Sequence, residues 1–181
     1  MGKAKRPKKV KLIIGLLAKN KKLLNEIEEL FVKDFGEIDY RGGDLLFTHT
    51  EYYKQEMGYP LKRRFVSFKK LISPGHIADI KIITNGLEEK FSTRKGAVTK
   101  RAINIDPGYV SDSKLVLATT KDYFHRIYLK KGIYAEVTLA WQNNGFRPFE
   151  WTYPDYRTPE YLEILNDIRN SYMNERNQLA R

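Results

Sequence analysis

Short apolar runs separated by turn-forming residues dominate the pattern of hydrophobic and polar positions along this chain. Val10–Leu17 is almost continuously apolar, which is typical of a buried strand. Further runs rich in β-branched and aromatic residues predict strands at 38–40, 45–48, 61–68 and 101–106. The segment 146–151 also fits a strand, and Pro148 favours an edge position for it, because proline cannot donate to a ladder on both sides.

Three other segments place apolar residues at helical spacing. Asn20 is a suitable N-cap for the first helix, and Gly36 ends it. Ser73-Pro74 begins the second helix and Thr158-Pro159 the third, since proline is favoured in a first turn. The apolar stripes are Leu23, Leu24, Ile27, Leu30 and Phe31; Ile77, Ile80, Ile83, Leu87 and Phe91; and Tyr161, Leu165, Ile168 and Tyr172.

The order of elements up to Asp106 is strand, helix, strands, helix, strand, which is typical of a ferredoxin-like split βαβ unit. We therefore predict an α+β fold in which this unit is extended by a C-terminal antiparallel meander and a terminal helix, with the helices on one face. Lys114–Thr120 fits a strand or a short helix, and we predict a strand. Since no repeat or linker interrupts the chain, residues 10–181 are expected to form a single domain.

A hairpin is predicted after this strand, and its register gathers polar side chains on one face. His125–Leu129 and Ile133–Leu139 are separated by Lys130-Lys131-Gly132, and a three-residue loop with glycine last suits a type I turn followed by a left-handed residue. His125 then falls on the apolar face. The residues expected on the polar face are Arg126, Tyr128, Tyr134, Glu136 and Thr138.

Each ionisable member of this region has a structural alternative. A structural, hydrogen-bonded histidine is favoured for His125 over a catalytic one, although imidazole titrates near neutral pH. Arg126 opposite Glu136 is most simply a cross-strand ion pair, which stabilises a sheet by about 0.2–1 kcal/mol, and a ligand-binding pair is the alternative. Asp106 begins Asp106-Pro107-Gly108-Tyr109, which we interpret as a turn. The same carboxylate is suited to orienting a base or binding a metal.

The composition excludes several classes of function. The chain has no Cys, which excludes disulfides, thiolate zinc sites and cysteine nucleophiles. Its three well-separated histidines disfavour a histidine-rich metal site, whereas a carboxylate-bound Mg²⁺ stays open. No apolar run has transmembrane length and the N-terminus lacks a signal-peptide core, so we expect a cytoplasmic protein with no membrane partner.

The formal net charge is +11, and six positive charges with no acidic residue among them lie in the first eleven residues. We expect residues 1–9 to be a disordered basic tail, which can add nonspecific affinity for nucleic acid. The remaining body is only mildly basic, which fits an anionic ligand without selecting one.

Ionisable side chains are dense between Asp106 and Thr138, which favours a site for a phosphorylated small molecule or a nucleotide. No standard catalytic motif is present, and Gly42-Gly43 lacks the spacing of a phosphate-binding loop, so neither a reaction nor a cofactor is assigned. The candidate catalytic residues are His125, Asp106 and Glu136. The candidate ligand-binding residues are Arg64, Lys121, Asp122, Arg126, Tyr128, Tyr134 and Thr138.

Two alternative functions remain open. An RNA-binding module would stack bases on an exposed aromatic sheet face formed by Phe124, Tyr128 and Tyr134, with help from the basic tail. The chain lacks the glycine and aromatic signature of the common RNA-binding fold of this type. A non-catalytic protein-interaction domain would use the aromatic segment Trp151–Arg157, because Tyr, Trp and Arg anchor many interfaces. No oligomeric state is predicted.

Several longer motifs resemble those of one family. They are Glu56–Gly58, Arg64–Phe68, Asp106–Tyr109, Leu117–Tyr123, His125–Leu129, Gly132–Leu139 and Trp151–Arg157. Over nearly its whole length after the tail, the chain resembles an uncharacterised prokaryotic family known only as a domain of unknown function, number 4416. It departs at His49-Thr50, where Thr-Asp or a similar pair is expected. The resemblance implies that these motifs belong together, and it implies no activity.

Overall fold

A computed structural model of the chain describes residues 2–48, 54–95 and 98–179, so His49 lies outside the described residues. The strands are β1 Lys11–Ala18, β2 Ile38–Arg41, β3 Leu45–Phe47, β4 Leu61–Phe68, β5 Thr93–Lys95, β6 Val98–Lys100, β7 Ile103–Val110, β8 Lys114–Thr119, β9 Ile127–Lys130, β10 Ile133–Gln142 and β11 Gly145–Pro148. The helices are α1 Lys21–Phe35, α2 Lys54–Met57, α3 Ile77–Lys90 and α4 Pro159–Leu179. Short 3₁₀ turns cover Pro74–His76 and Pro154–Arg157.

One large antiparallel sheet organises these elements, in the order β11-β10-β8-β7-β1-β4-β2, with β3 also on β4 and β9 also on β10. The pair β5-β6 forms a separate hairpin. β1 lies inside the sheet and is buried along its whole length, as its apolar sequence predicts. The α+β class, the C-terminal antiparallel strands and the terminal helix are confirmed. β11 is at an edge, as Pro148 predicts.

Helices cover both faces of this sheet, so the prediction that they share one face is wrong. Alternate residues of β1 lie in different cores. Leu12 and Ile14 pack with α1 and α3, including Phe31 and Ile77. Ile13 packs instead with Leu165 and other residues of α4. The apolar stripe of α4 is fully buried, and this helix covers a face that the sequence alone leaves open.

The segment beginning at Asp106 is strand and not turn, which corrects the sequence-based interpretation. β7 runs from Ile103 to Val110 and pairs with β1 throughout, with Ile14 opposite Pro107. Proline is tolerated there because backbone groups alternate in direction along a strand, and residues 105 and 107 direct theirs away from β1. The missing N–H of Pro107 therefore costs no hydrogen bond to β1.

β7 and β8 pair over a short length and then separate. Their register is Gly108 with Leu117, Tyr109 with Val116 and Val110 with Leu115, and the ladder ends at Gly108. A Cβ atom at Gly108 would lie 2.4 Å from the main-chain oxygen of Val116, so only glycine permits this close approach. From Gly108 back towards Ile103, β7 stays paired with β1, whereas β8 from Leu117 to Thr119 stays paired with β10. The sheet therefore splits between β7 and β8.

The predicted hairpin has the correct register over its inner part and a different turn. Tyr128 lies opposite Tyr134, as predicted. The loop consists of two residues, Lys131 and Gly132, both with positive φ, which is the type I′ geometry. A register shift between Ile133 and Tyr134 then restores the pairing that a three-residue loop would have produced.

Two smaller differences concern exposure and regular structure. Ile83, predicted in the apolar stripe of α3, is 44% exposed. Glu56 and Met57, which we interpret as part of a surface loop, belong to the short helix α2, and Met57 is buried. Among the described residues, no helix combines the length and the apolar character needed to cross a membrane.

Candidate functional site

A pocket of about 620 Å³ lies where the sheet splits. Its walls come from the separated parts of β7 and β8, from α3, and from the loop that precedes α4. The charged residues lining it are four cations and four carboxylates: Arg63, Lys81, Arg101, Lys121, Glu88, Asp106, Glu136 and Asp155. The pocket is thus rich in charge and formally balanced, and its volume is in the range of small-molecule sites.

Two side chains of α3 bind the strand edge that the split leaves unpaired. The main-chain N–H of Ile105 donates to Glu88 Oε1 at 2.5 Å, and Lys81 Nζ donates to the carbonyl oxygen of Ile105 at 2.8 Å. Both residues are buried, with Lys81 7% and Glu88 8% exposed. They replace the hydrogen bonds of a neighbouring strand, so the strands can separate without leaving buried backbone groups unpaired.

An arginine of β4 lies at the base of the pocket between two carboxylates. Arg63, which is 2% exposed, donates from Nη1 to Asp106 Oδ2 at 2.9 Å and from Nη2 to Asp155 Oδ2 at 3.4 Å. Asn104 Nδ2 also donates to Asp106 Oδ2, at 2.8 Å. Gly15 makes room for this cluster, since a Cβ atom there would lie 3.1 Å from Arg63 Nη1.

The two aspartates beside Arg63 have pKa values displaced in opposite directions. Burial raises the pKa of Asp106, but attraction from Arg63 and Lys81 outweighs it and holds that pKa below its usual value. Burial also raises the pKa of Asp155, and here attraction from Arg63 does not compensate, so the pKa stays above its usual value. Burial raises the pKa of Glu88 in the same way. The pocket therefore combines an acidic carboxyl group with two that retain protons more readily.

Buried polar atoms with no protein partner lie in the same cluster. Arg63 Nε and the hydroxyl of Tyr156 are both buried and have no hydrogen-bond partner within the described part of the chain. Burial raises the pKa of Tyr156 well above its usual value and that of Tyr161 to about 12. Unpaired polar atoms beside a polar cavity are uncommon in a purely structural core.

Hydrogen bonds among candidate residues on and beside the hairpin stabilise the rim of the pocket. Glu136, which is 2% exposed, accepts hydrogen bonds from Arg126 Nε at 2.8 Å and Thr138 Oγ1 at 3.2 Å. Arg126 also donates to the carbonyl oxygen of Lys121 at 3.0 Å and to the hydroxyl of Tyr153 at 2.7 Å. This guanidinium ties the segment after β8 to the segment before α4.

His125 is not on the apolar face of the hairpin, which corrects its predicted position. β9 begins at Ile127, so His125 precedes the strand and escapes its alternation. His125 Nε2 lies 3.3 Å from Glu136 Oε2, and its ring stacks on Trp151 at a centroid distance of 5.4 Å. Because the chain is irregular here, His125 and Arg126 both reach the carboxylate of Glu136.

The structure brings together only part of the predicted site. Asp106, Lys121 and Glu136 line the pocket, and His125, Arg126 and Thr138 contact Glu136. Tyr128 and Tyr134 pack against each other on the hairpin, and neither they nor Asp122 are among the residues that line the pocket. Arg64 is on the opposite face of the sheet, bonded to Glu28 and Asp44, because consecutive strand residues alternate in direction.

The predicted site residues do not include Arg63, Lys81 or Asp155, which the structure places in the pocket. Lys81 and Glu88 are seven residues apart, so they lie two turns apart on one side of α3. The available signal in the sequence was that these polar residues fall on one side of a helix that is otherwise packed in the core. Nothing in the sequence places Asp155 beside Arg63, since they are 92 positions apart.

No cluster of three or more metal-ligating His, Asp or Glu side chains occurs within residues 2–48, 54–95 and 98–179. The side chains that line the pocket carry carboxylate, ammonium, guanidinium, amide and hydroxyl groups.

Fold and site define an α+β protein whose antiparallel sheet, covered on both faces, opens around a charged pocket. Residues 8–172 match the family described as Domain of unknown function (DUF4416), and the chain belongs to this family. The resemblance noted from the motifs is thereby confirmed. No curated protein and no solved structure matches the chain.

Proposed function

We propose that the pocket binds a phosphorylated small molecule or a nucleotide. The observation that carries the proposal is the environment of Lys81. Its ammonium group is buried on the pocket wall and donates one described hydrogen bond, to the carbonyl oxygen of Ile105. An ammonium group has three donors, so two are available to a ligand.

The charge balance around Lys81 supports an anionic ligand. No carboxylate lies within ion-pair distance of Lys81 in the described parts of the chain. Lys81 is nevertheless close enough to offset part of the rise in the pKa of Glu88 that burial causes, and to help lower the pKa of Asp106. Buried charges are normally paired directly, so a ligand phosphate would supply the missing partner. Lys121, at the pocket mouth, adds a second cation.

The test is thermal unfolding with nucleotides, sugar phosphates, inorganic phosphate and Mg²⁺, each added separately. A ligand that binds only the folded state at one hundred times its Kd stabilises it by about 2.7 kcal/mol. We expect at least one phosphorylated compound to raise Tm, and Lys81→Met to remove the effect. Lys69→Met is the matched control, because Lys69 is exposed and paired with Glu37.

Retention of the full shift by Lys81→Met would contradict this site. The absence of a shift with every phosphorylated compound would contradict the proposed function itself. Neither outcome depends on the N-terminal tail, and truncation of residues 1–9 should leave the shift intact.

Exposed rings on the hairpin and on the segment before it favour a second candidate, the binding of RNA or a partner protein at this edge. Phe124 is 84% exposed, and Tyr123 and Tyr128 are 61% and 58% exposed. The middle of the sheet cannot serve as an RNA platform, because helices cover both faces. RNA binding would weaken steeply with salt and after truncation of residues 1–9, which separates it from binding in the pocket.

We also propose that residues 10–181 form one domain that begins as a ferredoxin-like split βαβ unit. The order β7-β1-β4-β2, with β4 between β1 and β2, supports this topology. A solved structure of any member of the family would test it.

A further inference from the structure

The two oxygens of Asp106 have different surroundings. Oδ2 accepts hydrogen bonds from Arg63 and Asn104. Oδ1 has no hydrogen bond to any of the described residues, and the side chain, which is 28% exposed, lines the pocket. A carboxylate oxygen carries two lone pairs. Oδ1 is therefore an acceptor that the protein leaves open.

The charge of this carboxylate decides which ligand group can occupy the open oxygen. Arg63 and Lys81 hold the pKa of Asp106 below its usual value, so the group is ionised at neutral pH. An ionised carboxylate repels phosphate and accepts strongly from a hydroxyl group. Lys81, which attracts the same carboxylate, presents donors close by. The pocket thus offers donors and an acceptor side by side.

We propose that the ligand is a hydroxylated phosphate ester, such as a sugar phosphate or the ribose phosphate of a nucleotide, with a hydroxyl group on Asp106 Oδ1 and its phosphate at Lys81. This inference rests on the proposed function and specifies its substrate class. A site built to accept a hydroxyl proton rejects analogues that lack it, because the acceptor then stays desolvated and unpaired.

Titration calorimetry with matched compounds tests the hydroxyl contact. Glycerol 3-phosphate and ribose 5-phosphate carry hydroxyl groups, whereas propyl phosphate and inorganic phosphate lack a comparable carbon-bound hydroxyl. We expect at least one hydroxylated compound to bind the wild-type protein tenfold or more tightly than propyl phosphate. This comparison needs no variant, so it does not depend on a substitution being tolerated.

The variant Asp106→Asn adds a second criterion. It removes the negative charge, so we expect the preference for hydroxylated esters to fall below threefold while propyl phosphate binds at least as tightly as before. The matched control, Asp79→Asn, changes a carboxylate on α3 that is outside the pocket lining, is 38% exposed and pairs with Lys130 and Lys131. It should keep the wild-type preference.

Three results would overturn the inference. Equal affinity for propyl phosphate and the hydroxylated esters would show that no hydroxyl contact contributes to binding, and the proposed function would still stand. An undiminished preference in Asp106→Asn would assign the hydroxyl to another residue. No binding by any of the phosphates would overturn the proposed function together with this inference.

Discussion

Arg63 and Arg64 are neighbours in β4, and their surroundings on the two faces of the sheet differ. Arg64 is bonded through Nε, Nη1 and Nη2, to Asn25, Glu28 and Asp44, although it also borders a surface cavity of about 560 Å³. Arg63 donates one short and one long hydrogen bond to carboxylates, and its guanidinium also lies near the rings of Phe47 and Phe65. Its Nε has no hydrogen-bond partner in the described chain. Burial is nearly the same, so exposure cannot distinguish them. A saturated arginine indicates a structural role, and an incompletely saturated one beside a cavity indicates a site.

The largest expected effect distinguishes these two arginines. Arg63→Met leaves the buried carboxylate of Asp155 without an adjacent cation and should lower the free energy of unfolding by about 3–5 kcal/mol. Arg64→Met should cost about 1–3 kcal/mol, since Arg41 still pairs with Glu28. Urea unfolding measures both values. A larger loss for Arg64→Met would reverse the comparison.

Ligand binding sharpens the same contrast. Binding is compared at a temperature where Arg63→Met and Arg64→Met both remain folded. Arg64→Met should retain the wild-type Kd for a phosphorylated ligand, because the side chain of Arg64 is on the face of the sheet opposite Arg63. Loss of binding in Arg64→Met would show that the two faces are coupled.

Gly108 lies where β7 and β8 separate to form the pocket that Arg63 borders. Gly108→Ala forces a Cβ atom against the main-chain oxygen of Val116 and should destabilise the protein by about 1–3 kcal/mol, as overpacking does. Gly86→Ala is the matched control, because in the described structure the added Cβ meets no atom within 4 Å apart from its chain neighbours and the nearby backbone of α3. This change should stabilise the protein by about 0.4–1 kcal/mol. Equal responses of the two variants to thermal unfolding would contradict the close approach at Gly108.

The pH dependence of stability separates the two partners of Arg63. The lowered pKa of Asp106 contributes stability above its ordinary value of 3.8, and this contribution is lost as pH falls through the lowered value. The raised pKa of Asp155 has the opposite sign: its contribution is full below 3.8 and is lost as pH rises through the raised value.

Urea unfolding at a series of pH values on both sides of 3.8 tests these signs. Asp106→Asn should flatten the acid side of the stability curve, and Asp155→Asn should flatten the side above 3.8. Flattening on the reverse sides would show that the two assignments are exchanged.

The smallest expected effect is on the saturated side of the sheet. Arg41 is 59% exposed through its side chain, and its partner Glu28 keeps a second ion pair with Arg64. Arg41→Ala should therefore lower the free energy of unfolding by only about 0.2–1 kcal/mol in the same urea experiment. A cost as large as that of Arg64→Met would mean that Glu28 depends on both arginines.

Local periodicity predicted the regular elements well. β1 was recognisable from its apolar run, the C-terminal helix from its stripe at Tyr161, Leu165, Ile168 and Tyr172, and the hairpin pairing from Tyr128 and Tyr134. These features depend on residues close in sequence, whose spacing fixes which side chains share a face.

The errors arose where residues distant in sequence determine the local structure. Asp106-Pro107-Gly108 has the composition of a turn, but pairing with β1 makes it a strand. His125 follows the strand pattern in sequence, but the strand begins two residues later. Local preferences are weak compared with the hydrogen bonds and burial that a neighbouring strand supplies.

In the candidate site too, some features follow from local spacing and others from contacts between distant segments. Strand alternation by itself puts Arg63 and Arg64 on opposite faces of the sheet. Which of them borders the pocket was decided by the divergence of β7 from β8 and by the loop carrying Asp155, 92 residues away. Amino-acid spacing fixes the direction of a side chain, whereas only packing between distant segments creates a cavity for it to face.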